Sequence, residues 1–306
     1  MGRRRNKGRP ISGVLLLDKP QGISSNAALQ KVKRIFDANK AGHTGSLDPL
    51  ATGMLPICLG EATKMAAYLL DANKRYQTTV RLGSTSTTGD SEGDITTAGQ
   101  VPVLTEDYLN SVLSRFIGKI SQVPPMYSAL KRNGEPLYKL AQQGIEVERE
   151  ARIVEIESIN LLRFSEDEIE LEVCCSKGTY IRTLAEDIGA AMECGGYVTS
   201  LRRLSVGYYD DPSKMITIEQ LEDILAAEGL QALDQQLLPV DSALTHWPSV
   251  MVSGDMAFFL MRGQSVQISN APVGDWVKIY KDDNQFLGLG QVETGGKLQP
   301  KRLIKH

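Results

Sequence analysis

Residues 42–53 read Gly42-His43-Thr44-Gly45-Ser46-Leu47-Asp48-Pro49-Leu50-Ala51-Thr52-Gly53. One acid and one imidazole stand among small residues, and glycine lets a backbone come close to a ligand. Pro49 biases Asp48 away from helix, so its carboxylate projects from extended or turn backbone. Leu47, Leu50, Met54, Leu55 and Ile57 lie in or just beyond the stretch. Residues 41–60 are therefore expected to be a structured loop or short strand, not a linker. By itself an Asp-Pro pair is most often an Asx-type turn, and a lone histidine such as His43 is more often structural than catalytic. The meaning of the stretch depends on what surrounds it.

Upstream, Val14 to Leu17 reads as a short buried strand closed by turn chemistry at Asp18-Lys19-Pro20-Gln21-Gly22. Ser24 or Ser25 can cap a helix with Ala28, Val32, Ile35 and Phe36 on one face. Downstream, the patterning predicts helix over Glu61–Leu70, strand over Tyr76–Leu82, a polar loop over Gly83–Gly99 and helix over Glu106–Phe116. Ile153–Phe164 and Glu168–Cys175 alternate like paired strands, which sets Cys174 and Cys175 on opposite faces. Helix is expected over Ile181–Met192, and strand over Tyr197–Tyr209, centred on Leu201, Leu204 and Val206. Two acidic helices follow, near Ile218–Ala227 and Leu230–Leu238. Pro124 to Ala151 has little apolar periodicity and reads as a protruding insertion. Beyond Pro248 comes one helix, around Met256–Met261, and then strands at Trp276–Tyr280, Phe286–Val292 and Leu298–Ile304. That tail reads as a small, mostly-β module.

The 306 residues are 42% hydrophobic and 23% charged, a globular mixture that sets aside wholesale disorder, a coiled-coil rod and a collagen-like chain. The length allows about two domains. No run of 18 apolar residues could span a bilayer, and the basic start at Met1–Arg9 leads to no long apolar stretch of a signal peptide. The net charge of -3 conceals a split. Residues 1–80 carry a net +8, and residues 151–250 a net -11. A basic first quarter points toward nucleic acid or another anionic surface, although a basic face can also simply balance an acidic one. The four cysteines make no Cys-x-x-Cys pair and suit reduced thiols in a cytosol. No spacing of His43, His246 and His306 suits zinc, and no glycine-rich nucleotide loop occurs.

Two further stretches could carry chemistry. Ser176-Lys177-Gly178-Thr179-Tyr180-Ile181-Arg182 lies where a strand hands over to a helix and offers a flat ring and a fixed cation. Lys74-Arg75-Tyr76 sets an aromatic beside two cations, which suits stacking on a base next to phosphate. A buried tyrosine with a surface arginine, and an ordinary edge strand, explain these stretches equally well on physics alone.

Taken in order, Leu17-Asp18-Lys19-Pro20-x-Gly22, residues 42–53, Lys74-Arg75-Tyr76, Pro125-x-Tyr127-Ser128-Ala129-x-Lys131, Gly178-Thr179-Tyr180-Ile181-Arg182 and Leu201-x-Arg203 resemble the TruB-type tRNA pseudouridine synthases. The likeness covers nearly the whole chain. It implies an α+β pseudouridine synthase fold, a mixed and largely antiparallel sheet with flanking helices. A basic tail over residues 1–10 would precede a catalytic domain over 11–247, with a thumb insertion at about 124–151. A PUA-like RNA-binding module would occupy 248–306. The implied reaction isomerises the T-loop uridine (tRNA position 55) to pseudouridine, without a cofactor or metal. The implied setting is cytoplasmic, with tRNA as partner, no membrane, no required protein partner, and a monomer.

The same resemblance assigns roles residue by residue. Asp48 would be the nucleophile, and Arg182 would pair with it, orient it and lower its pKa. Tyr76 would stack on the target base, with Tyr180 and Leu201 lining its pocket. His43 would fill the space left by a flipped nucleotide, and Lys19 would brace the catalytic loop. Attack on the sugar and attack on the pyrimidine ring both remain open. Ser46, Thr87 and Gln142 depart from residues common in the family, and none of these departures touches the assigned positions.

Overall fold

The computed structural model describes residues 8–132, 134–269, 274 and 276–305. Arg3, Arg4, Arg5 and Lys7 of the expected basic tail lie outside the described residues.

Most of the chain builds on one eight-stranded sheet. Its strands are β1 (Gly13–Lys19), β2 (Ala41–His43), β3 (Thr52–Leu59), β4 (Lys74–Leu82), β7 (Gly118–Gln122), β10 (Arg152–Phe164), β11 (Glu168–Cys175) and β12 (Gly196–Val206). Two short hairpins hang from it, β5 (Ser84–Ser86) with β6 (Ile95–Thr97) and β8 (Lys131–Arg132) with β9 (Glu135–Pro136). The strand order is β1-β3-β12-β4-β11-β10-β7, with β2 added to β3. Every pairing in the sheet is antiparallel except that of β3 with β12. This is the mixed, largely antiparallel α+β layout expected.

Helix α1 (Ser25–Ile35) starts at Ser24, whose side chain accepts from the N–H of Ala27. Its apolar stripe, Ala28, Val32 and Ile35, packs on Leu15, Leu17, Leu55 and Ile57 of β1 and β3. The same core takes in α3 (Glu106–Leu113), α5 (Ile181–Ala191) and α6 (Ile218–Glu228). Each fully buried aliphatic side chain there contributes about 2 kcal/mol of transfer free energy. The alternate residues of β1 and β3, Val14, Leu16, Met54 and Cys58, face the other way, into a second core.

That second core is shared with the C-terminal module. A five-stranded sheet is built from β13 (Ser249–Val252), β14 (Val266–Gln267), β15 (Trp276–Lys281), β16 (Phe286–Glu293) and β17 (Lys297–Leu303), with α8 (Gly254–Leu260) beside it. Phe286, Leu289 and Ile304 insert among Val14, Leu16 and Met54. Lys64 donates to the carbonyl of Leu303, and the N–H of Lys305 to Glu61. The module is thus seated behind β1 and β3, across the sheet from α1.

Some elements differ from the sequence reading. Residues 41–60 hold two strands, β2 and β3. The second is internal to the sheet because Met54 to Leu59 are buried on both faces. The segment 61–70 divides into a 3₁₀ turn over Gly60–Lys64 and α2 (Ala66–Leu70). The loop 83–99 contains the β5–β6 hairpin. The insertion holds β8, β9 and the short α4 (Leu137–Gln142), and the last predicted helix shortens to α7 (Leu230–Asp234). Strands β7 and β13 were not foreseen.

Candidate active site

The stretch 42–53 is held from three sides. The Ser25 hydroxyl, buried on α1, accepts from the N–H of Leu47 at 2.7 Å and donates to its carbonyl at 3.0 Å. Lys19, at the end of β1 and fully buried, directs its ammonium to the carbonyls of Pro20 (2.8 Å) and Pro49 (3.4 Å). Arg203 on β12 is 1% exposed. Its Nε donates to Met54 O at 2.7 Å and its Nη2 to Gly45 O at 3.2 Å. At Gly53 the backbone has φ +94°, and a Cβ there would stand 2.3 Å from Arg203 O. Only glycine lets β3 run against β12 at this point. These contacts fix Asp48 as the first residue of a tight turn closed by Ala51 N–H to Asp48 O at 3.1 Å.

Arg182 is the second residue of α5, so its side chain leaves the first helical turn and reaches Asp48, with Nε to Oδ2 at 2.9 Å. Its Nη1 donates to Thr88 O and its Nη2 to Tyr127 O, both at 2.7 Å. Asp90, 2% exposed, stands 3.7 Å from the same Nε. Thr88 Oγ1 and the N–H of Glu92 donate to Asp90 at 2.6 and 3.1 Å. A cation at a helix N-terminus opposes the helix dipole, and the two carboxylates offset that cost.

The expected pairing of Asp48 with Arg182 is present, and Arg182 lowers the Asp48 pKa as expected, but the net shift is upward. Burial and the nearby Asp90 raise it above the ordinary carboxylate value, while Arg182 and Lys19 oppose the rise. The side chain keeps 38% of its surface open, which moderates the effect of burial. The carboxylate therefore remains reachable from solvent and is not sealed in the core.

Tyr76 on β4 lies opposite Arg203 of β12 and Val173 of β11. Leu201, two residues before Arg203, pairs with Thr78, two residues after Tyr76. Period-2 alternation puts Tyr76, Leu201 and Arg203 on one face of the sheet. Burial pushes the Tyr76 phenol pKa up. Tyr180, immediately before α5, is also raised by burial. Gln122 at the end of β7 binds its backbone from both sides, accepting from Tyr180 N–H at 3.1 Å and donating to Tyr180 O at 3.3 Å. His43, at the end of β2, is half-buried with Nδ1 unpartnered. Burial, then Arg203, lower its pKa, which favours the neutral ring at pH 7.

The structure therefore pairs Asp48 with Arg182, brings Tyr76 and Tyr180 within electrostatic reach of Asp48 and sets Leu201 on the sheet face of Tyr76, with Lys19 and His43 at the edges of the Asp48 loop. Sequence reasoning gave no role in the site to Arg203, Asp90, Gln122 or Ser25, although Arg203 stood in the Leu201-x-Arg203 motif and Ser25 was a candidate helix cap. One signal was available for Arg203. In Leu201-Arg202-Arg203-Leu204 a strand period places Arg203 on the face of Leu201, a charge at a core position. The sequence reading centred the strand on Leu201, Leu204 and Val206; Arg203 is buried there and Leu204 is partly exposed. Gln122 meets Tyr180, and Asp90 approaches Arg182, only through long-range contacts, which left no local signal. Of the departures, Thr87 closes its own turn with Asp94, and Gln142 is exposed on α4.

Glu168, Glu170 and Glu172 of β11 pair with Arg81, Thr79 and Gln77. They lie on the opposite sheet face from Tyr76, so this part of the acidic excess turns away from the cleft. Lys31, Arg34 and Lys40 are exposed on and after α1, and Lys131, Arg132 and Lys139 on the insertion. Among the described residues no three His, Cys, Asp or Glu side chains gather as a metal site. No helix among them is long and apolar enough to cross a membrane.

A mixed sheet with an Asp–Arg pair set against aromatic walls defines a pseudouridine synthase fold, and solved structures agree. A chain in a Cbf5–Nop10–Gar1 complex matches with a TM-score of 0.70 at 27% identity, covering 93% of this chain and 79% of that one. A chain of an H/ACA RNP bound to a substrate RNA matches with 0.73 at 23% identity, over 100% and 92%. Three family models match in succession. They are the TruB family pseudouridylate synthase N-terminal domain (residues 33–181), the tRNA pseudouridylate synthase B C-terminal domain (182–245) and the pseudouridine synthase II TruB C-terminal model (248–304). The tRNA pseudouridine synthase B of Nitrosococcus oceani is 53% identical over 301 residues, 98% of this chain and 97% of that one. That of Pseudomonas aeruginosa is 52% identical, over 97% of each. The chain belongs to the TruB family of pseudouridylate synthases.

Proposed function

We propose that this chain isomerises the T-loop uridine of tRNA to pseudouridine with Asp48 as nucleophile. It acts as a cytoplasmic monomer that needs no cofactor and no protein partner. The observation that carries this reading is the Asp48–Arg182 pair, 2.9 Å apart, with Tyr76 and Tyr180 within electrostatic reach of the carboxylate. A carboxylate must be ionised to attack, and the guanidinium favours that form and fixes its direction. The reaction breaks the N-glycosidic bond, turns the uracil, and joins its C5 to the sugar; the C5 proton leaves and N1 gains one. The base must leave its stack to reach Asp48. In this reading Tyr76 stacks on the flipped base, Tyr180 and Leu201 line its pocket, His43 fills the vacated space and Lys19 braces the loop.

Residues 11–247 form the catalytic domain in this proposal. The insertion at about 124–151 and the module at 248–306 grip RNA, and residues 1–10 add basic charge. The exposed Lys131, Arg132 and Lys139 of the insertion favour a further role in binding and folding tRNA independent of catalysis. The test is tritium release from tRNA transcripts labelled at uridine C5. Wild type is expected to release tritium and Asp48→Asn is not. Equal release by both would remove Asp48 from its role; no release by wild type would overturn the reaction itself.

A further inference from the structure

The segment from Gln122 to Ser128 joins β7 to the insertion, and it makes a notable set of contacts. Gln122 is 2% exposed, and its amide closes a ring of two hydrogen bonds with the N–H and C=O of Tyr180. Tyr127 O accepts from Arg182 Nη2 at 2.7 Å. The buried Ser128 hydroxyl faces the Tyr180 phenol. The same segment is tied to the insertion: the N–H of Tyr138 donates to Ser128 O at 3.1 Å and that of Leu137 to Leu130 O at 2.7 Å. One short stretch of chain therefore holds the first turn of α5 on one side and the insertion helix α4 on the other.

The Gln122 contact is specific. Both hydrogen bonds go to the backbone of Tyr180, the residue preceding α5, and helix rigidity passes that position on to Arg182 two residues later. A glutamine side-chain amide can accept from the N–H and donate to the C=O of one residue at once, and at this position its length brings it to both. Its burial makes the pair costly to break.

We propose that Gln122 is a positioning residue for the isomerisation: it acts through Tyr180 and Arg182 to aim Asp48, and the Gln122–Ser128 segment couples the seating of the insertion to that aim. The proposal rests on the uridine isomerisation above. RNA held by the insertion then favours the geometry in which Arg182 meets Asp48. An error in the seating of the segment appears in the chemical step rather than in binding.

The charged groups facing Asp48 are Arg182 from α5, Asp90 and Glu92 from the loop between β5 and β6, and Lys19 from β1. Of these, Arg182 is the one that Gln122 steadies. Loosening it weakens the strongest influence holding the Asp48 pKa down, so the acid limb of the rate profile should move to higher pH.

The test is Gln122→Met, which keeps the length and packing of the side chain and removes both hydrogen bonds. Single-turnover rates and affinity for a tRNA transcript are measured at a temperature where circular dichroism shows wild type and variant fully folded. The expected result is a rate at least tenfold lower, affinity within threefold of wild type, and an acid limb shifted to higher pH. If Gln122→Met proves unfolded, Gln122→Asn, which leaves an amide in the buried site but withdraws it from Tyr180, takes the same measurements. A rate equal to wild type, an unmoved acid limb, or a loss of affinity with the rate retained overturns the proposal. Wild type runs in every assay, so inactive wild type would reject the isomerisation reading and leave these outcomes distinguishable from it.

Discussion

Asp48 and Arg182 lie 2.9 Å apart although they stand 134 positions apart in the sequence, and each reaches the meeting point from a rigid support. The Asp48 turn is held by Ser25, Lys19 and Arg203, while the Arg182 guanidinium is shared with two backbone carbonyls. All three guanidinium nitrogens are committed in one plane, so direction is fixed as well as charge.

That geometry separates arginine from lysine. An ammonium can neutralise Asp48, but it cannot at the same time serve Thr88 O and Tyr127 O in a planar fork. Arg182→Lys should lower kcat by about a hundredfold, equivalent to roughly 2.7 kcal/mol of transition-state stabilisation, with little change in RNA affinity. Equal kcat in the two proteins would show that charge alone suffices.

The acid limb of the reaction should lie above the ordinary carboxylate range. The Asp48 pKa is raised by burial and by Asp90, and only the ionised form attacks. The single-turnover rate should fall about tenfold per pH unit below that pKa. Asp90→Asn removes one of the raising influences, so the limb should move to lower pH even as activity drops through the loss of an Arg182 partner. A limb that moves upward would mean that the Asp90 charge does not act on Asp48.

Gly53 tests the close approach of β3 to β12. With φ +94° and a Cβ position 2.3 Å from Arg203 O, Gly53→Ala adds backbone strain to a clash that no side-chain rotation relieves. The expected cost is about 3 kcal/mol or more, read from denaturant unfolding. Gly22→Ala is the control: its φ is also positive, but no atom lies within 4 Å of the added Cβ. A similar loss in both would assign the cost to φ alone.

The elements legible in the sequence are those whose apolar spacing is local. The stripe Ala28, Val32 and Ile35 marked α1, and the alternation of Glu168–Cys175 marked β11. β3 was ambiguous because it is buried on both faces, and a continuous apolar run shows no period. β7 and β13 were missed because they are short and gain their identity from neighbours distant in sequence. In the site, Asp48 and Arg182 drew notice through their motifs, and proline chemistry suggested a projecting carboxylate. The direction of its pKa could not be read, because it depends first on how far the fold buries the side chain and then on the approach of Asp90, both tertiary facts. The charge split was legible, but the face taken by its β11 glutamates was set by the register of β4 with β11.

Lys74 offers a prediction about stability. Its ammonium is buried at the start of β4, donating to the carbonyls of Leu70 (2.7 Å), Ala72 (2.5 Å) and Leu69 (3.4 Å), and burial lowers its pKa to about 8. In the unfolded chain a lysine titrates near 10.4. Between those values the unfolded state binds more protons than the native one, so stability rises with pH. Below pH 8 both states are protonated and the folded protein bears the full cost of the buried charge. Above it the native amine loses its proton while the unfolded one keeps it. Between pH 7.5 and 9.5 the gain from this group alone should be about 2 kcal/mol. Other groups titrate in the same window, so the quantity to measure is the difference between wild type and Lys74→Met in unfolding free energy at the two pH values. The variant lacks the titrating amine, and wild type should gain on it as pH rises. A difference that stays flat would mean that Lys74 keeps its proton in the native state, its three carbonyl partners outweighing the loss of water.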